Sequence, residues 1–102
     1  MQREILASAQ TEFKEAFDFY ESRQPGLGNE LTIDFESAVE EILRNPAMGR
    51  RLTRDVRRWP LRQFPYALIY QIRQDSILIV AVAHFRRKPG YWRSRLAPYK
   101  KT

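Results

Sequence analysis

The apolar residues of this chain change period once, at Asn45-Pro46, and that single change limits the folds open to it. Before it, Ala9, Phe13, Ala16, Phe17 and Tyr20 recur at the spacing of one helix face. Leu27, Leu31, Phe35, Ala38, Ile42 and Leu43 form a second such stripe, with Glu30, Asp34, Glu36, Glu40 and Glu41 lying largely off it. Arg23-Gln24-Pro25-Gly26-Leu27-Gly28 separates the two, and its spacing suits a helix connector and no phosphate loop. Two amphipathic helices joined this tightly pack as an antiparallel hairpin. A short strand, Gln2–Leu6, precedes them, and Ser8 is expected to cap the first helix with its hydroxyl.

After Asn45-Pro46 the pattern is that of strands. Arg50–Arg54 and Val56–Phe64 read as two, turning near Thr53-Arg54-Asp55, and Pro60 marks the second as an edge strand or a bulge. Ala67–Arg73 alternates, with Leu68, Tyr70 and Ile72 against Ile69 and Gln71. Ile77–Phe85 is apolar on both faces, as a central strand is. Pro89-Gly90-Tyr91-Trp92 ends the sheet and opens a short helical turn. Strand, two helices, then a run of strands implies an α+β fold: a helical hairpin on one face of a mostly antiparallel sheet with three or four further strands. The length of 102 residues is that of one domain, expected to span residues 1–102, and 43% hydrophobic residues suffice for a packed core.

Several function classes are excluded. There is no cysteine, so disulfides, zinc–thiolate sites and thiol nucleophiles are absent. One histidine cannot build a zinc site, and neither metal nor cofactor is expected. The N-terminus turns polar too soon for a signal peptide, and Ile77–Ala83 is too short to span a bilayer. A cytoplasmic protein with no membrane partner is expected.

Charge is segregated. Residues 1–45 hold 4 Lys/Arg and 10 Asp/Glu, whereas residues 46–102 hold 14 Lys/Arg and 2 Asp/Glu. A basic half of this kind attracts polyanions: nucleic acid, the ribosome, or an acidic protein.

Four stretches carry a family resemblance: Ala9–Tyr20, with Glu12-Phe13 and Phe19-Tyr20; Gln24-Pro25-Gly26-Leu27-Gly28 and the acidic helix ending Ile42-Leu43-Arg44-Asn45-Pro46; Arg57-Arg58-Trp59-Pro60-Leu61-Arg62-Gln63-Phe64-Pro65-Tyr66 running into Leu68-Ile69-Tyr70; and Ala81-Val82-Ala83-His84 with Arg86-Arg87 and Pro89-Gly90-Tyr91-Trp92. In this order, over roughly residues 5–95, they resemble the RelE/ParE toxins of type II toxin–antitoxin systems, also described as plasmid-stabilisation proteins. The resemblance implies a growth-inhibiting toxin neutralised by a cognate antitoxin, whose acidic segment folds over apolar and basic surface. It implies one of two targets. One branch resembles poisons of DNA gyrase that perform no chemistry. The other resembles metal-independent endoribonucleases that cut messenger RNA on the ribosome.

The residues weigh these readings differently. In the ribonuclease branch the strand end held by His84 often supplies a catalytic group, and histidine titrates near neutrality. His84, Arg87 and Tyr91 would then be catalytic; the alternative for His84 is a structural hydrogen bond at a strand end. Ala67 stands where RelE-type nucleases carry a phosphate-gripping arginine, a departure that favours the gyrase-binding reading. Arg86 and Lys88, with Arg58 and Arg62 from the stretch Arg50, Arg51, Arg54, Arg57, Arg58, Arg62, are candidates for target or phosphate binding through guanidinium forks. About half of that stretch is expected to pair with the acidic helices instead. Trp92 joins the binding candidates, although residues placed like Tyr91, Trp92 and Trp59 more often plug the edge of the core.

Overall fold

The computed structural model describes residues 1–96; residues 97–102, which close the expected domain, lie outside the described residues. β1 (Gln2–Ile5) leads into α1 (Ala7–Arg23) and α2 (Leu27–Arg44). A 3₁₀ turn (Pro46–Met48) follows, then β2 (Arg50–Arg51), β3 (Val56–Pro60), β4 (Tyr66–Ile72), β5 (Ser76–His84) and a second 3₁₀ turn (Arg93–Leu96). The sheet order is β1-β5-β4-β3-β2, and only β1 and β5 run parallel. The helical hairpin packs on one face of a mostly antiparallel sheet, the α+β arrangement the pattern implies.

Local chemistry differs from expectation at several points. Ser8 does not cap α1. Leu6 donates its N–H to the Ile79 carbonyl at 3.0 Å, which ends β1 and makes Leu6 itself the N-cap. Ser8 is therefore already inside the first turn, and no side chain caps it. α2 is entered through Gly26 at φ 99°, a left-handed conformation that glycine adopts without strain. Its free first-turn N–H groups are met from α1: the Glu21 carboxylate accepts from Gly26 and, at 2.8 Å, from Gly28. Gly28 also lets the helices meet, since a Cβ there would lie 2.6 Å from the Phe17 ring.

Asp34 and Val39, outside the expected stripe of α2, are buried. Asp34 is 6% exposed because three backbone N–H groups, those of Arg62, Gln63 and Phe64, converge on its carboxylate at 3.1, 2.8 and 3.2 Å. That contact also shortens β3. The expected strand over Val56–Phe64 stops at Pro60, and residues 61–64 bend over the helix side of the sheet, sinking Leu61 and Phe64 into the core. Pro60 needs no outer partner, because β2 pairs only with Arg57 and Arg58. β2 itself keeps only two of the five residues expected.

The sheet is buried on both faces. Leu68, Tyr70, Ile77, Ile79 and Val82 face the helices; Val56, Ile69, Leu78, Val80, Ala81 and Ala83 form the opposite core with Trp92. Val80 and Ala81 share a face because the β4–β5 register shifts: Ile69 pairs with Ala81 and Tyr70 with Ile79. This bulge inverts the alternation for the rest of β5.

Candidate functional site

β1 ends at Ile5, so beyond Ile79 one edge of the central strand β5 would be bare. Two side chains cover it. Glu12, from the second turn of α1, accepts the Val82 N–H at 3.0 Å, and Arg95 donates to the Val80 carbonyl at 3.0 Å. The two join in a bidentate pair at 2.9 and 2.8 Å, and the Tyr91 hydroxyl donates to the same carboxylate at 2.8 Å. Arg87 lies 4.0 Å from that carboxylate and 3.7 Å over the Tyr91 ring.

Burial pushes the Glu12 carboxyl up, but hydrogen bonds from Arg95, Tyr91 and the Val82 amide outweigh it and hold the group below the usual carboxylate value. The hydrogen bond to Glu12 raises Arg95 in turn. Burial, then the Glu12 hydrogen bond and charge, push the Tyr91 hydroxyl well above the ordinary tyrosine value.

On the far face of the sheet, a cleft of ≈ 390 Å³ opens between β2–β3 and the segment after β5. Arg50, Arg58, Arg87, Lys88 and Arg93 line it, with His84, Phe85 and Tyr91, and no acidic residue does. Arg50 and Arg58 face each other across the β2–β3 pairing. Burial and then the charge of Arg50 lower the Arg58 pKa, and its guanidinium lies 5.3 Å over the Phe85 ring.

The expected site residues separate on this frame. His84, Arg87 and Tyr91 do come together at the end of β5. The bulge turns His84 toward the helices, edge-on to Tyr66 at a ring distance of 5.1 Å, and its Nδ1 accepts the Arg86 N–H at 3.0 Å. Arg58 lines the basic cleft. Arg62 shares an open groove with Arg58 but pairs with Glu41 of α2. Arg86 and Lys88 are exposed in the turn after β5 and have no ion-pair partner among the described residues. Trp92 is 4% exposed, beneath the cleft, so its ring serves the core and presents little to a partner. Ala67, 1% exposed, lies opposite Ala83. Of the remaining arginines, Arg57 binds the Ala47 and Gly49 carbonyls, at 2.8 and 2.9 Å.

Sequence reasoning missed Arg50 and Arg93 as cleft cations and the pair of Glu12 and Arg95. Glu12 had one legible signal: it shares a helix face with Ala9 and Ala16, and a carboxylate on an apolar face needs a partner. Arg95 had none.

Two comparisons bear on the family. A family model described as the ParE toxin of the type II toxin–antitoxin system parDE matches residues 4–89. A solved structure of the chromosomal ParDE TA system from P. aeruginosa superposes with a TM-score of 0.71, covering 82% of this chain and 95% of that one. Identity is 16%, so that likeness is one of fold. No curated protein sequence matches. No helix among the described residues is long and apolar enough to cross a membrane.

Proposed function

The chain belongs to the ParE toxin family of type II toxin–antitoxin systems, and from that premise we propose that it arrests growth in the cytoplasm by binding DNA gyrase, without catalysing a reaction, and is neutralised by a cognate antitoxin. The observation that favours binding over RNA cleavage is the state of the acid–base candidates. Tyr91 has its proton committed to Glu12, and its raised pKa opposes proton loss near neutrality. His84 spends Nδ1 on the Arg86 amide, and position 67 offers an anion nothing.

The test is supercoiling by purified gyrase with added toxin. We expect inhibition that disappears when the antitoxin is added, with mRNA on translating ribosomes left intact in either case. Normal supercoiling at saturating toxin would remove the gyrase target. The ribonuclease alternative makes the opposite forecast for two variants. His84→Ala and Tyr91→Phe should stay toxic if the protein only binds, and both should be harmless if those side chains move protons. Counting colonies after induction separates the two.

A further inference from the structure

We propose that the basic cleft holds the phosphate backbone of double-stranded DNA, so that this protein binds DNA directly, a property that goes beyond the gyrase reading and does not need it. The cleft has five cations and no carboxylate in its lining. Among the described residues only one of the five, Arg87, approaches an acid, 4.0 Å from Glu12. Arg50 and Arg58 stand directly opposite each other on paired strands, where like charges repel. A phosphate between two guanidinium forks converts that repulsion into charge-assisted hydrogen bonds.

The surroundings choose among polyanions. Single-stranded nucleic acid is held largely by bases stacked on aromatic faces. Here the Tyr91 ring lies under Arg87 and Trp92 is buried, which leaves Phe85, 50% exposed beside Arg58, as a single open ring where a run of stacked bases needs several. A protein partner draws most of its binding energy from a few anchors sunk in well-packed pockets. The apolar residues below this cleft, Ile69, Ala83 and Trp92, are 3%, 9% and 4% exposed and already packed. Apart from the Phe85 ring, what the cleft offers is positive charge, which suits a duplex whose outer surface is phosphate.

Fluorescence polarisation of a labelled random duplex of about 20 base pairs, titrated with purified toxin between roughly 50 and 200 mM salt, tests this. We expect binding whose log–log salt slope is about −4, near 0.9 per neutralised phosphate. The double variant Arg50→Gln/Arg93→Gln should flatten the slope by about 2 and weaken binding well beyond tenfold at ~0.1 M salt. Arg23→Gln/Arg44→Gln, which removes the same charge from the helical hairpin, should leave the slope unchanged. The Arg50 and Arg93 side chains are exposed, so thermal melts should match wild type; if the double variant fails to fold, Lys88→Gln, in the exposed turn, should flatten the slope by about 1.

Absence of duplex binding at the lowest salt overturns the proposal, and so does equal loss in the hairpin control, which would mean attraction by net charge alone. Tighter binding of a single-stranded RNA or DNA of the same length, or of a poly-glutamate peptide, overturns the choice of duplex. No gyrase is present, so a toxin that binds duplex through this cleft yet leaves supercoiling untouched supports the cleft and sinks the gyrase reading.

Discussion

Glu12 keeps its charge at 12% side-chain exposure because its carboxylate takes hydrogen bonds from Val82, Tyr91 and Arg95. Glu12→Gln preserves the shape but leaves Arg95 facing no charge, at a cost of about 2 kcal/mol, or roughly 10 °C in Tm for a domain of this size. The pH dependence has a definite sign. A carboxyl with a depressed folded pKa adds stability above its unfolded value and loses it as pH falls through the folded one. Wild type should therefore lose stability as pH drops below about 4.5, the ordinary value for this group. Glu36, held down by its hydrogen bond from Arg3, adds to the same fall, so the gap between wild type and Glu12→Gln isolates Glu12. Melts from pH 7 to pH 3 that ran parallel for the two proteins would refute the assignment. Gly49 is constrained by space. A Cβ there would lie 2.3 Å from the Tyr70 hydroxyl, which is fixed by the Pro46 carbonyl at 2.6 Å. Gly49→Ala should cost about 2 kcal/mol through overpacking, measured by urea unfolding.

Elements here are ended by partners distant in sequence. Asp34 terminates β3, 28 to 30 residues away, by gathering three amides in the loop after Pro60. Asp34→Ala leaves the buried Phe64 N–H without an acceptor and should cost about 2 kcal/mol; Asp34→Asn, which retains one acceptor oxygen, should recover part of it. A loss equal to that of Ala would mean that the charge, and not the acceptor, holds the loop. The bulge at Val80–Ala81 acts over a longer span. Had β5 kept strict alternation, His84 would point to the far face with Trp92, and Val82 would not present its N–H to Glu12. One inserted residue thus decides which expected site residues meet.

Across the molecule, cohesion is concentrated in the middle of the sheet. β5 lies between β1 and β4 and is buried on both faces from Ile77 to Ala83, whereas both residues of β2 are exposed. Amide hydrogen exchange should be slowest along Leu68–Tyr70 and Ile77–Val82 and fastest along β2 and the turn after it; slow exchange at Arg50 and Arg51 would contradict this. The two helices, the later strands, their order and the charge split were legible in the residues, because period and turn chemistry are local and charge simply adds. The family resemblance was legible for the same reason, being carried by short stretches in sequence order. Local pattern could not show that Glu12 meets Arg95, 83 positions away, or that Asp34 is a buried acceptor and not a solvated acid. Nor could it show which cations gather. Arg62 is drawn off by Glu41 and Arg57 by two carbonyls, while Arg50, Arg58, Arg87, Lys88 and Arg93 converge. Strand order and the register of a single bulge decide that convergence, and both are set by which residues pack across the sheet.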